Sequence, residues 1–345
     1  MPAVHQLELP LAGMGSVNVW LILGEPLAIV DTGPATPEAL TALEAQLRTH
    51  GVAIEDLEVV VLTHHHLDHS GLATAIKERS GAEIVAHRAT ARWGPRFHER
   101  AEAERRFTLA LMAAHGVPAP VIAGSEGFFA GIVECSRPFV VDRVLTDGNA
   151  LLAGGRTLRA VFRPGHSTTD TLFVDVASGD AFVGDHLLAN VTSGVELMPT
   201  ELCGDERRRG LLEYLRNLRR TQSMELRTCY PGHGPAIGDH SALIDDRMAF
   251  HADRLDRIAG LVADGCATTY EIARRLWSDE VAAENPVLVT WEVLGHLDVL
   301  VRRGLVRETV DERGRHRFTA PTARAAAPGT RARPTRRTPA RSRSL

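Results

Sequence analysis

A chain of 345 residues, 44% hydrophobic and 24% charged, has the makeup of a soluble globular protein of about two domains. Its formal charge of −4 hides an asymmetry: residues 321–345 carry seven arginines and no acid, which leaves −11 over residues 1–320. No apolar run approaches the ~18–20 residues of a membrane span, Met1–Gly15 lacks the basic and apolar regions of a signal peptide, and four scattered cysteines without a CxxC pair indicate neither a disulfide framework nor a zinc ribbon. A cytoplasmic protein with no membrane partner is the expectation.

In chain order, Val17–Leu23 and Leu27–Val30 are short apolar runs around Gly24-Glu25-Pro26, which predicts a hairpin. The second run ends at Asp31. Pro37–His50 carries Leu40, Leu43 and Leu47 at helical spacing, behind Thr36 as N-cap and ahead of Gly51 as a stop. Within Glu58–Leu62, the run Val59-Val60-Val61-Leu62 is apolar throughout, as a strand covered on both faces is. Gly71–Arg79 predicts a helix and Glu83–Ala86 a strand, followed by a helical insert over 88–133 that holds Phe97, Phe107, Leu111 and Met112. Strands are expected at Thr157–Phe162, Thr171–Val176, Ala181–Val183 and Arg227–Tyr230, with a loop over 185–205 and a helix at Arg207–Thr221. Strands and helices alternating in this way imply mixed sheets under helices, an α/β fold.

Near residue 250 the pattern turns helical, most clearly at Thr269–Trp277 and Val289–Arg303. Val306–Thr309 and His316–Thr319 then flank Asp311-Glu312-Arg313-Gly314 as a second hairpin. Helices followed by a hairpin describe a small winged-helix domain over 251–320, after a catalytic domain over 1–250. The Ala/Pro/Arg/Thr/Ser composition of 321–345 cannot bury a core and predicts a disordered tail.

Directly after the apolar strand stands Thr63-His64-His65-His66-Leu67-Asp68-His69. Four histidines and a carboxylate in six residues exceed what a solvated loop needs, and imidazole with carboxylate suits zinc, iron or manganese. His64 and His66, two apart, point the same way from an extended backbone. Three later segments end strands beside glycine, where the backbone can approach an ion closely: Gly165-His166, Gly184-Asp185 and Gly232-His233.

In this order the segments resemble the metallo-β-lactamase superfamily, with His64-x-His66-x-Asp68-His69 similar to its HxHxDH motif and His166, Asp185 and His233 similar to its later motifs. The resemblance covers roughly residues 5–245. It implies an αβ/βα sandwich of two mixed sheets flanked by helices and a glyoxalase II-like dinuclear ligand set. His64, His66 and His166 would bind one divalent ion, and Asp68, His69 and His233 a second. Asp185 would bridge both, and Asp31 would orient ligand side chains from behind. Seven N/O ligands without sulfur suit a Zn2+ pair, with Fe or Mn as alternatives. His65 and His186 are adjacent but are read as support. The implied chemistry is hydrolysis by a metal-bridged hydroxide, with Asp68 as the catalytic residue that orients it and passes its proton to the leaving group.

A small-molecule thioester, ester or lactone leads as substrate: the aromatic and aliphatic residues of the insert would either roof an apolar pocket, which favours this class, or simply pack a helical hairpin against the sheet, a reading of at least equal weight. A metal-dependent ribonuclease or phosphodiesterase is the alternative, since the C-terminal domain resembles one appended in a branch that includes an endoribonuclease. A winged-helix nucleic-acid-binding regulator is a third reading, from another class. Residues 252–320 weigh against both nucleic-acid readings: they hold ten Arg against twelve Asp and Glu, where a nucleic-acid partner calls for a clustered basic face. A packing, pocket-closing or homo-oligomerising role for that domain is the stronger expectation.

Overall fold

The apolar runs assemble into two sheets that share one interior. The computed structural model describes residues 3–11, 13, 15–198 and 207–321; Cys203 and nearly all of the Arg-rich tail expected to be disordered lie outside the described residues. The strands of the first sheet are β1 (Val4–Leu11), β2 (Gly15–Ile22), β3 (Ala28–Val30), β4 (Val59–Leu62), β5 (Glu83–His87) and β6 (Arg143–Leu145), in that spatial order. β1–β2 and β2–β3 pair antiparallel; β3–β4, β4–β5 and β5–β6 pair parallel. The second sheet contains β7 (Ala150–Ala153), β8 (Arg156–Phe162), β9 (Thr171–Asp175), β10 (Ala181–Gly184) and β11 (Cys229–Pro231), in the reverse spatial order, with only β10–β11 parallel. Both sheets are therefore mixed, as the resemblance implies.

Strand alternation sorts the side chains between layers. Val59 and Val61 of β4 point between the sheets with Trp20, Val30, Phe173 and Phe182, while Val60 and Leu62 point outward. Outside the first sheet lie α1 (Pro37–Thr49), the single turn α2 (Leu67–Ser70), α3 (Ala73–Ser80) and α4 (Arg88–Trp93). Thr36 caps α1 as expected, accepting from the Ala39 N–H at 3.2 Å, with Pro37 in the first turn. The insert continues as α5 (Phe97–Ala114), α6 (Ala119–Gly124) and α7 (Glu126–Glu134).

Outside the second sheet lie α8 (Gly210–Gln222) and α9 (His240–Ala263), followed by α10 (Thr269–Leu276), α11 (Asp279–Glu284), α12 (Pro286–Arg302) and the hairpin of β12 (Arg307–Val310) and β13 (His316–Thr319). The helix expected from Arg207 begins instead at Gly210. The expected division at 250/251 falls inside α9, which runs unbroken through it. One apolar cluster joins Leu172 and Val183 of the sheet to Leu211 and Tyr214 of α8, Ile244 and Ile258 of α9, and Leu294 and Leu297 of α12. Asp298, buried on α12, pairs with Arg207 and, at 2.6 Å, with Arg209, which ties the C-terminal unit to the start of α8. Among the described residues, no helix is long and apolar enough to cross a membrane.

Candidate metal centre

Every residue expected at the site leaves the C-terminal end of a strand on one edge of the sandwich. Asp31 follows β3, the His64–His69 segment follows β4, His166 follows β8, Asp185 follows β10 and His233 follows β11. The structure brings all of them together. His66 Nδ1 lies 3.1 Å from His64 Nε2 and 2.9 Å from His166 Nε2. His233 Nε2 lies 3.3 Å from Asp68 Oδ2, and His69 Nε2 lies 3.7 Å from the same oxygen. Asp185 stands between the two groups: Oδ1 is 3.4 Å from His69 Nε2, and Oδ2 is 3.4 Å from His233 Nε2 and 3.7 Å from His166 Nε2.

The outward nitrogen of each ring is held by a specific acceptor, and this fixes which nitrogen faces inward. His69 Nδ1 donates to Asp31 Oδ2 (2.8 Å), His166 Nδ1 to the Gly194 carbonyl (2.6 Å) and His233 Nδ1 to the Ser16 carbonyl (2.6 Å). His64 Nδ1 lies 3.0 Å from the Thr63 hydroxyl. These four present Nε2 to the centre. His66 is reversed: its Nε2 is bound by the carboxylate of Glu196, so Nδ1 faces in.

Asp31 is itself over-determined. It sits at φ 61, a left-handed conformation that Asp tolerates better than most residues, and it accepts from the Thr63 N–H (2.8 Å) and the Thr63 hydroxyl (2.8 Å) as well as from His69. Gly232 leaves room for the site, because a Cβ there would collide with Asp185 Oδ1. Asn18 and Trp20 of β2 hold the Pro231 carbonyl at 2.9 and 3.0 Å and so fix the loop that carries His233.

Charge in the cluster is balanced only by close opposition. Burial disfavours the charged forms of His233 and Asp68, yet Asp185 and Asp68 raise His233 to about 10, and His69 and His233 hold Asp68 near 2. Burial, reinforced by the neighbouring His69 and His66, keeps His64 neutral far below its ordinary range. The residues fit a metal pair. His69 Nε2 and Asp185 Oδ1 are buried and have no hydrogen-bond partner, and an orphaned buried polar atom costs about 1–3 kcal/mol unless something satisfies it. The inward donors are all imidazole nitrogens and carboxylate oxygens, the chemistry of a zinc, iron or manganese site.

His65 and His186 stay out of the cluster. His65 stacks on Trp93 with centroids 3.8 Å apart and lies 2.9 Å from the Thr169 hydroxyl; His186 lies 2.9 Å from the Thr221 hydroxyl. Sequence reasoning missed Glu196 and gave Thr63 no role. Neither carries a local signal, because the partner of Glu196 is 130 residues away in the chain.

Asp68, His66, His166, Asp185 and His233 form the floor of a cavity of about 560 Å³. Its upper wall comes from Trp93 (α4), Phe97 (α5), Phe128 and Ile132 (α7), and Leu288 and Trp291 (α12). Of the insert residues expected to roof such a pocket, Phe97 and Phe128 do so, while Leu111 and Met112 pack into the core with the C-terminal helices. Glu104 and Glu196 also line the cavity, and no Arg or Lys does so among the described residues.

Fold and site together are those of a metallo-hydrolase. Residues 12–233 match the model of the Metallo-beta-lactamase superfamily, and the chain belongs to that superfamily. It is 30% identical over 293 residues to "Probable metallo-hydrolase YqjP" of Bacillus subtilis, covering 83% of this chain and 88% of that one. A solved metallo-beta-lactamase family protein from Thermus thermophilus superposes with a TM-score of 0.78 at 28% identity, covering 92% of this chain and 98% of that one. An Atrochrysone carboxyl ACP thioesterase of Aspergillus fumigatus is 24% identical over 253 residues, 73% of this chain but 45% of that protein.

Proposed function

We propose that the chain is a dinuclear metal-dependent hydrolase that cleaves a small-molecule thioester, ester or lactone. The observation that carries this reading is the cavity: an apolar enclosure set directly over the His/Asp cluster, with no Arg or Lys among its described lining residues. His64, His66 and His166 would hold one divalent ion and Asp68, His69 and His233 the other, with Asp185 placed between the two groups. Zinc is the metal favoured by the donor set. Bound metals supply Lewis acidity and a water whose pKa is lowered towards neutrality. The protein's own part is to hold the seven donors, to exclude bulk water with the aromatic wall, and to move a proton at Asp68, whose carboxylate faces the cavity. Asp68 accepts the proton of the attacking water and returns it to the leaving sulfur or oxygen. The similarity to an ACP thioesterase supports the thioester end of this range.

The C-terminal unit, read as a winged helix from its three helices and hairpin, closes the cavity rather than reading nucleic acid. In a groove reader α12 would be exposed and basic, but here most of it is buried and Asp298 is consumed in internal ion pairs. The test is one panel of thioesters, lactones, phosphodiesters and single-stranded RNA given to the zinc-loaded chain. Turnover is expected on an acyl substrate and falls at least a hundredfold in Asp68→Ala. Cleavage of RNA alone, lost in the same variant, would overturn the assignment.

A further inference from the structure

The cavity has two chemically distinct ends. Its upper wall exposes large apolar side chains: Leu288 is 47% and Phe128 38% exposed, beside Trp291 and Ile132. Such a patch at the mouth of a buried polar site is stable when an apolar ligand lies on it. Two of these residues, Leu288 and Trp291, come from α12, more than 50 residues beyond the last metal motif at His233. The lower end is polar. Glu196 is 7% exposed; one carboxylate oxygen binds His66 and the other, Oε2, is buried with no hydrogen-bond partner. Glu104, from α5, lines the same space. An anionic group placed here would shed its hydration in a low-dielectric enclosure beside the Glu196 carboxylate, with no Arg or Lys among the described lining residues to pair with it.

Resting on the hydrolase reading above, we propose that the cavity selects a neutral, apolar acyl group. Leu288 and Trp291 of the C-terminal unit form its chain-binding wall, and an enclosure without Arg or Lys among its described lining residues disfavours acyl groups that end in a carboxylate or phosphate. The C-terminal unit is thus a specificity element of the hydrolytic site.

The experiment measures kcat/KM of the zinc-loaded full chain on N-acetylcysteamine thioesters of butanoyl, hexanoyl and octanoyl groups, and on the adipoyl thioester as the anionic counterpart of hexanoyl. Dissociation constants of the matching uncleavable thioethers, from tryptophan fluorescence of the metal-free chain, give a second readout. Both are expected to improve about two- to fourfold per methylene, with adipoyl at least tenfold worse than hexanoyl. Leu288→Ser and Trp291→Leu flatten the chain-length dependence at an unchanged urea midpoint. Leu305→Ser, an equally exposed apolar site on the same unit outside the cavity, leaves it intact. Turnover with a flat chain-length profile, or adipoyl accepted as well as hexanoyl, removes this proposal alone. Absence of turnover on every thioester removes the thioester reading and this proposal with it.

Discussion

At the scale of single residues, the site is a problem in orienting imidazoles. A histidine offers one nitrogen to a ligand only when the other is held, and here the holding groups are Asp31, Gly194, Ser16, Thr63 and Glu196. Asp31 does this for His69 while bonding Thr63, the residue before His64, so one carboxylate aligns both ends of the motif. Asp31→Asn keeps the left-handed backbone that Asn also tolerates but weakens the acceptor for His69 Nδ1. Affinity for the ion held by His69 is expected to fall about 10- to 100-fold by chelator competition, with little change in the urea midpoint. Unchanged affinity would show that Asp31 serves the backbone alone. The seven inward-facing residues were legible in the sequence because each stands in a short motif at a strand end, four of them in one dense run and the other three beside glycine. Glu196 was not, because a carboxylate in a loop without periodicity announces no partner; only the fold carries it back to His66.

At the scale of elements, the strongly apolar segments were read correctly and the half-buried ones were missed. β4 is apolar at every position and could be placed from its sequence. β1 and β7 alternate between buried and exposed residues at the outer margins of their sheets, and β6 has three residues, so none stands out as an apolar run. Pro10 within β1 is compatible with this edge position, where a missing N–H breaks no inner ladder. The end of α5 shows how the insert and the C-terminal unit are joined. His115 is buried there, 3.0 Å from the Thr269 hydroxyl and stacked on His316, which pairs with Glu308 at 2.7 Å. Burial, followed by the charges of His316 and Arg207, lowers His115 to about 2. In the unfolded chain the same group titrates near its ordinary 6.5. Below that pH the unfolded state binds a proton that the folded state refuses. The contribution of His115 to stability is therefore whole above about 6.5 and declines as pH falls towards 2, by up to about 1.4 kcal/mol per pH unit. Urea titrations between pH 7.5 and 4.5 are expected to show a shallower loss of stability in His115→Gln than in the parent. Parallel curves would contradict that account.

At the scale of the whole molecule, the change to helical sequence near 250 was visible but its meaning was not. Composition marks where strands stop; it does not show that α9 crosses the point unbroken or that α12 packs into the same apolar cluster as α8 and the second sheet. The charge arithmetic was also an incomplete guide. An acidic body says little about partners, whereas an enclosure lined by large apolar side chains, with no Arg or Lys among its described lining residues, bears directly on what can enter it. The His/Asp cluster concentrates five imidazoles and two carboxylates in a buried space and leaves His69 Nε2 and Asp185 Oδ1 without hydrogen-bond partners. Such a centre is stable when metal satisfies those atoms, and binding to the folded state alone then adds to stability by mass action. The central claim is that these seven side chains form one dinuclear site. Elemental analysis of the purified chain tests it most directly. The account predicts two divalent metal ions per chain, reduced by His64→Ala and by Asp185→Ala. Fewer than about one ion per chain, unchanged by either substitution, would contradict it.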